Sequence, residues 1–410
     1  MNDDISRIAP SVTTGGACGG ILELPALGDA DRLRYSRHTR LPQIGEIGQR
    51  RLLGARVLVV GLGGLGSPAA LYLAAAGVGT IGVAEPDTVA AHNLQRQILF
   101  RDADAAGSAS KLDAGFAALR ALNPRTRLVA HAEGVTPANA AALIAGYDVV
   151  LDGSDNFATR YLVADAAALA RRPLVHGSVF QFEGQVAVFD PAAGGPCYRC
   201  LFPRPPAPET VPTCAQAGVL GALCGVVGSW MALEAVKVIT GAGNAAGKFI
   251  VLDLLTDNVR VVSLPRNPAC PLCGDAPSIT EIRPENYDFG ATCCGGTGGG
   301  AGTAAGEEIT CEEFAELRAA TPALPVLDVR ERDERDAARI EGTAHIPLGE
   351  LAARLDEVRA LLGGDATARL VVHCQRGGRS LSATRLLRAK GFSGAVSLAG
   401  GLERWLRAGA

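Results

Sequence analysis

The chain has 410 residues, long enough for two or three domains around a large core, and its 48% hydrophobic content with 51 glycines suits an α/β enzyme and not a disordered chain. With 39 basic against 42 acidic residues the formal charge is -3, which gives no electrostatic case for nucleic acid or an acidic membrane surface. The 11 cysteines are an odd number, and residues 1–30 lack an uninterrupted apolar run, so a cytoplasmic protein using thiols for metal or sulfur chemistry is expected, not a disulfide framework.

In chain order, residues 1–30 read as a disordered tail. The arginine-rich stretch from Asp31 to Arg56, broken by Pro42, predicts two short helices. Arg37 lies in the first, on a solvated face or as a phosphate contact. Val57–Val60 is a short apolar run that reads as a buried parallel strand. It runs straight into Gly61, Gly63, Gly64 and Gly66, and Ser67 to Ala76 continues as an alanine- and leucine-rich helix. Gly61 permits the tight turn, Gly63 lets phosphate approach the backbone, Gly66 lets helix and strand pack closely, and the helix N-terminus offers unpaired N–H groups. A second strand from Thr80 ends in Glu85, an acid about 20 positions past the last glycine and placed for ribose hydroxyls. The whole reads as a nucleotide-binding βαβ unit.

The polar segment His92–Gln97 opens a predicted helix, or is an ordinary exposed turn, and its position puts Asn93 and Arg96 beside whatever lies on the glycine loop. Lys111 opens another helix, ending at Asn123-Pro124. Asp148–Leu151 is a buried strand ending in Asp152, Asp155 and Asn156; ligands of doubly wound sheets bind at such strand ends, so both aspartates converge on the glycine loop, with a helix N-cap the other reading of Asp155. Further strands are expected at Pro173–His176 and, with half-buried alternation, at Gly184–Phe189.

Cys197 and Cys200, then Cys270 and Cys273, form two Cys-x-x-Cys knuckles. Together they supply the four thiolates of a closed, structural tetrahedral zinc site, although the separation of about 70 residues exceeds a local zinc ribbon. Between them a proline-rich crossing segment delivers Thr213 and Cys214 to the apolar helix Leu220–Ile239. Cys214 is either packed or activated by the helix N-terminus, and Cys224 reads as core.

Residues 291–307 are a glycine-rich linker, and residues 308–410 a small α/β domain. Thr310 and Glu313 make a capping box, and strands are expected at Val326–Val329 and Leu370–His373. The second strand ends in Cys374, then Arg376, Arg379 and Ser380, before an amphipathic helix from Leu381. A thiol ringed by backbone N–H groups, a helix N-terminus and arginines suits a thiolate or persulfide anion, and cysteine phosphatases use a similar loop.

From about Leu33 to the C-terminus these motifs, in this order, resemble the MoeB/ThiF family of sulfur-carrier-protein adenylyltransferases fused to a rhodanese domain, the MoeZ type of fusion; Asp328, Arg330 and the Cys374–Ser380 loop are similar to the rhodanese signature. The resemblance implies a Rossmann-like doubly wound adenylation domain over residues 31–290 and a rhodanese-like domain after the linker. Glu85 would bind the ATP ribose, Arg96 and Lys111 its phosphates, Asp155 a Mg²⁺ ion, and Arg37 the phosphates across a homodimer; Asn93 and Asn156 belong to the same motifs. The implied reaction adenylates the C-terminal glycine of a small ubiquitin-like carrier ending in Gly-Gly. Cys374, charged by a cysteine desulfurase persulfide or thiosulfate and aided by Arg379, then displaces AMP to leave a thiocarboxylate, with Cys214 a possible intermediate. Two departures stand out: Gly107–Lys111 replaces a shorter Gly-x-Pro-Lys-like approach, and Cys224 is unusual in its place. Other classes compatible with parts of the chain are an NAD-dependent oxidoreductase and a non-catalytic docking protein for a ubiquitin-like partner.

Overall fold

The computed structural model describes residues 24–205, 218–243, 246–287, 307–321, 323–375 and 377–407. The chain divides into two units, Met1–Tyr287 and Asp288–Ala410.

In the first unit, short apolar runs become strands because each finds a buried neighbour. They are β1 (Arg56–Val60), β2 (Thr80–Ala84), β3 (Arg127–His131), β4 (Val149–Asp152), β5 (Leu174–Phe180), β6 (Glu183–Phe189), β7 (Lys248–Asp253) and β8 (Asn258–Ser263), in the order β3-β2-β1-β4-β5-β6-β7-β8. The first five in that order run parallel and the last three add on antiparallel. Because β2 and β3 lie on one side of β1 and β4 on the other, the sheet has its topological switch point at the carboxyl ends of β1 and β4. Helix Gly66–Ala76 follows β1, and helix Gly221–Thr240 packs on it and on β5 and β6. The latter is the one described helix long and apolar enough to cross a membrane, yet Leu223, Val227, Met231 and Ala235 bury one face of it in this core.

Three expectations change. The stretch after Asp31 holds three helices, Asp29–Arg34, Ser36–Thr39 and Gly45–Gly54, because the chain breaks at Tyr35, whose ring is buried, and again around Pro42. His92–Gln97 opens no α-helix: after the 3₁₀ turn Ala91–Asn93, the Arg96 and Gln97 N–H groups share the Asn93 carbonyl, and the next helix is Asp102–Ala106. In β6 the run Val186–Phe189 is buried without alternation, because the strand is interior and helix Gly221–Thr240 packs on it.

The second unit is a parallel sheet of β9 (Glu308–Ile309), β10 (Val326–Asp328), β11 (Ala344–His345), β12 (Leu370–His373) and β13 (Ala395–Leu398), ordered β11-β10-β12-β13-β9. Leu370 and Val372 enter one apolar cluster and Val371 the other, so the central strand is buried on both faces. Thr310 and Glu313 form the expected reciprocal cap. The helix after the cysteine loop begins at Gly378, not Leu381, so Arg379 and Ser380 lie in its first turn.

Candidate functional site

At the switch point, β1 turns through Gly61, whose φ of +81° favours glycine, into the helix opened by Gly66. A Cβ on Gly66 would lie 1.9 Å from the Gly61 carbonyl oxygen, so the loop can fold onto the helix only if that residue is glycine. A Cβ at Gly63 would meet nothing nearer than Gln97 Nε2 at 3.7 Å, leaving that backbone approachable. Gly64 faces Cys224 Sγ and the aliphatic stem of Arg96. The Arg96 guanidinium donates to Asn93 Oδ1 at 2.7 Å and to the His92 carbonyl at 3.4 Å, which fixes the pair as one unit beside the loop.

Glu85, at the end of β2, is buried and accepts from Leu62 N–H at 2.7 Å and Asp87 N–H at 3.0 Å. It therefore ties the glycine loop to β2, and its four lone-pair directions leave room for further donors. Lys111 opens its helix as expected and its buried ammonium reaches Asp87 Oδ2 at 3.1 Å and Glu85 Oε1 at 3.6 Å. Burial pushes the Glu85 carboxyl up, and the Lys111 charge and two N–H donors offset only part of that. Asp87 is a residue sequence reasoning passed over; an acid two positions after Glu85 was the available signal.

Both expected aspartates lie at the end of β4, Asp152 directly beside Val60, but the Asp152 carboxylate is already engaged by other side chains. β4 and β5 pair Asp152 with His176, so the buried Asp152 carboxylate accepts from Ser154 N–H and Oγ–H and from His176 Nδ1–H at 3.0 Å. Burial alone would raise the Asp152 carboxyl, but His176 and Ser154 hold it below its ordinary range, while burial pushes the His176 imidazole down against the opposing Asp152 bond. Its role is to brace the strand end. Asp155 is exposed and has no hydrogen-bond partner among the described residues. The N-cap of helix Phe157–Leu169 is Asn156, which accepts from Thr159 N–H at 2.9 Å, so Asp155 is free of the capping role. Gly153 N–H bonds the Val60 carbonyl and holds this turn against the glycine loop. Arg37 is exposed on helix Ser36–Thr39, with no hydrogen bond to that loop among the described residues. Thr213, Cys214 and Arg376 lie outside the described residues.

Cys197, Cys200, Cys270 and Cys273 meet, all four Sγ atoms lying within 4.8 Å of one another. Neighbouring sulfurs sit 3.4 to 3.9 Å apart. The S···S edge of a zinc tetrathiolate is about 3.8 Å for a Zn–S bond of about 2.3 Å, so the donor set fits a metal and is too open for disulfides. Burial pushes the Cys197 and Cys273 thiols up, which a dication would reverse. Arg199, inside the first knuckle, is buried and makes a bidentate pair with Asp165 of helix Phe157–Leu169 at 2.7 Å for each bond. That link from knuckle to helix was not legible in the motif.

In the second unit Cys374 ends the central strand, almost wholly buried, and its Sγ accepts from Gly377 N–H at 3.2 Å. The N-terminus of helix Gly401–Arg407 ties down the loop carbonyls, Leu402 N–H to Cys374 O and Glu403 N–H to Gln375 O. Buried Arg330 chelates Asp328 and donates to Gln375 Oε1 at 3.1 Å, so the Asp328 and Arg330 pair supports the loop from below. Arg379 does not point its hydrogen bonds at the sulfur. Both its terminal nitrogens are bound to the Glu334 carboxylate at 2.6 Å. Burial opposes charge on both partners, but the pair overcomes it, holding Glu334 low and raising Arg379, to which the Cys374 charge also contributes.

The ThiF family model matches residues 35–272 and the rhodanese-like domain model residues 310–408. Over 386 residues the chain is 42% identical to the probable adenylyltransferase/sulfurtransferase MoeZ of Mycobacterium tuberculosis, covering 93% of this chain and 94% of that protein. It is 40% identical over 421 residues to the adenylyltransferase and sulfurtransferase MOCS3 of Bos taurus, covering 97% and 92%. A sulfur carrier protein adenylyltransferase of Thermus thermophilus is 50% identical over 265 residues, 63% of this chain and 96% of that one. The crystal structure of E. coli MccB with MccA-N7isoASN shares the fold at a TM-score of 0.53 and 19% identity, over 60% of this chain and 75% of that one. The nicotinamide oxidoreductase, cysteine phosphatase and non-catalytic docking readings fall away. Its two domain matches and its identity to full-length relatives place the chain in the ThiF family, as an enzyme that joins an adenylyltransferase to a rhodanese-like sulfurtransferase.

Proposed function

We propose that the enzyme adenylates the C-terminal glycine of a small ubiquitin-like sulfur-carrier protein ending in Gly-Gly, that a persulfide on Cys374 then displaces AMP to give an acyl disulfide, and that a second thiol attacks the Cys374 sulfur of that disulfide, forming a disulfide with Cys374 and releasing the carrier thiocarboxylate. The observation that carries this reading is a pair of separate anion sites in one chain: the Gly61–Gly66 loop flanked by Arg96 and Lys111, and the Cys374 sulfur facing the Gly377 N–H. A carboxylate is a poor electrophile, so the carrier attacks the ATP α-phosphate and releases pyrophosphate. Glu85 takes the ribose, with Arg96 and Lys111 on the phosphates where negative charge builds up. Asp155, left free by the Asn156 cap, would hold Mg²⁺ with Asn156 adjacent, and the ion when bound supplies charge neutralisation on the phosphates. The four cysteines hold a structural zinc. Domain limits at 31–290 and 308–410, joined by the 291–307 linker, follow from the same reading.

The sulfur reaches Cys374 from a persulfide donor such as a cysteine desulfurase, or from thiosulfate, and Cys214 is a candidate relay. A cytoplasmic homodimer, with Arg37 reaching the partner's phosphates, completes the reading; molybdopterin, thiamine and related sulfur-compound syntheses all present carriers of this chemistry. Incubating the enzyme with a Gly-Gly carrier, ATP, a sulfur donor and a thiol reductant should release pyrophosphate and raise the carrier's intact mass by about 16 Da, the replacement of one oxygen by sulfur at the carboxylate acted on by this nucleophile. Carrier-independent pyrophosphate release, or a carrier of unchanged mass, overturns it.

A further inference from the structure

Arg379, a cation of the cysteine loop itself, is already engaged. Arg379 lies in the first turn of helix Gly378–Ala389, and Glu334 binds both of its terminal nitrogens at 2.6 Å. Glu334 is itself fixed: its Oε2 also accepts the Glu331 N–H at 3.0 Å in a capping box on helix Arg332–Ala337. The pair is partly shielded, with the side chains 21% and 30% exposed, so it is not a loose surface contact that water and salt dissolve. The sulfur meanwhile is served by the Gly377 N–H, a donor that carries no net charge. Among the described residues, this loop therefore presents a neutralised guanidinium and a fixed carboxylate to an incoming sulfur donor.

We propose that Glu334 is a specificity-determining positioning residue, which by clamping Arg379 selects a persulfide donor over dianionic inorganic thiosulfate. This rests on the reading of Cys374 as the sulfur acceptor. The two donors react with the same balance. The Cys374 thiolate attacks the outer sulfur, a new S–S bond forms, and the donor's S–S bond breaks, its electron pair leaving on a thiolate for a persulfide or on sulfite for thiosulfate. They differ in charge on approach. Thiosulfate must bring two negative charges beside Glu334 or tear Arg379 from a bidentate partner, whereas a persulfide brings at most one at the reacting sulfurs, its other charges lying on the remote parts of the donor.

The test uses the full chain with cyanide as final acceptor and two donors, sodium thiosulfate and glutathione persulfide. Glu334→Gln keeps a carbonyl oxygen for the Glu331 N–H but removes the charge, so the KM for thiosulfate should fall about tenfold or more, the scale of one charge-assisted hydrogen bond, with kcat moving less. Use of glutathione persulfide should change by a smaller factor. Glu334→Asp, too short to reach both guanidinium nitrogens, should shift in the same direction by less, and it serves if the Gln variant does not fold. Adding Arg379→Gln to Glu334→Gln should erase the gain. An unchanged thiosulfate KM, equal gains for both donors, or a gain that survives Arg379→Gln overturns the assignment. Cys374→Ser that still transfers sulfur from either donor overturns instead the acceptor reading beneath it.

Discussion

Lys111 sits with its ammonium between Glu85 and Asp87, and of these two carboxylates the buried one, Glu85, is the one that matters for stability. Replacing Lys111 by Met leaves Glu85 buried with two backbone donors and no cation. Breaking a buried pair from one side costs about 3 kcal/mol, and loss of one charge contact in the transition state slows chemistry about a hundredfold. Both should appear, the first in denaturant unfolding followed on the intact chain and the second in ATP–pyrophosphate exchange; full exchange activity would remove Lys111 from the site. His373 makes a pH prediction. It is fully buried beside Cys374, its ring nitrogens meet no hydrogen-bond partner among the described residues, and the Asp328 carboxylate, 3.8 Å away, is already held by Arg330. Burial lowers its pKa to about 4, with Asp328 opposing and Arg330 and Arg335 reinforcing the shift. The unfolded chain therefore binds a proton near pH 6.5 that the folded one refuses. Stability is at its full value above about pH 6.5 and drains away as pH falls toward 4, by about 3 kcal/mol in total. Hydrogen exchange of β12 in the intact chain should accelerate over that window, and His373→Leu should flatten the dependence. A wild-type profile without slope there would mean that His373 is charged or solvated.

At the scale of elements, the knuckles act through what they hold. Cys197 and Cys200 bracket Arg199, Arg199 chelates Asp165, and Asp165 belongs to the helix whose N-terminal turn presents Asp155. Metal loss should therefore reach the nucleotide site along one rigid helix as well as loosen the knuckle. One zinc per chain is expected by elemental analysis, and Cys270→Ala should lower both Tm and adenylation, since metal binding energy is coupled to folding. Freshly purified protein without zinc would contradict this. Helix Gly221–Thr240 carries the second element-scale prediction. Its inner face fills the core, but Val226 and Leu233, 44% and 54% exposed, lie with Ala222, Gly225, Ser229 and Trp230 along an outward groove at helical spacing. If the proposed homodimer closes over this stripe, Val226→Glu with Leu233→Glu should halve the mass measured by sedimentation without unfolding the chain. A monomeric wild type removes the dimer, and a variant that remains dimeric moves the interface elsewhere.

On the scale of the whole molecule, the two chemistries belong to two units, and their half-reactions should separate. Cys374→Ala should keep acyl-adenylate formation near normal while ending sulfur transfer, because the nucleophile is removed and the glycine-loop site is untouched. Full thiocarboxylate yield from that variant, read by carrier mass, would send the sulfur by another route. Much of this architecture was legible locally. The strand, glycines, helix and acid from Val57 to Glu85, the two Cys-x-x-Cys pairs and the loop after Leu370–His373 follow from backbone sterics, periodicity and ligand spacing, which act over a few residues. Order of the strands, by contrast, is a matter of which buried faces meet. Strand pairing put Asp152 beside His176, which engages its carboxylate, whereas the adjacent Asn156 took the cap and freed Asp155. The neutralising of Arg379 by Glu334 and the orphaning of His373 came from the packing of distant segments. What the sequence by itself determined was therefore the inventory: a doubly wound nucleotide unit, a four-thiol metal set and a cysteine loop in a smaller sheet. Only the tertiary structure decided which charges are paired, because the direction of a side chain at a strand end depends on the neighbours that long-range packing brings to it.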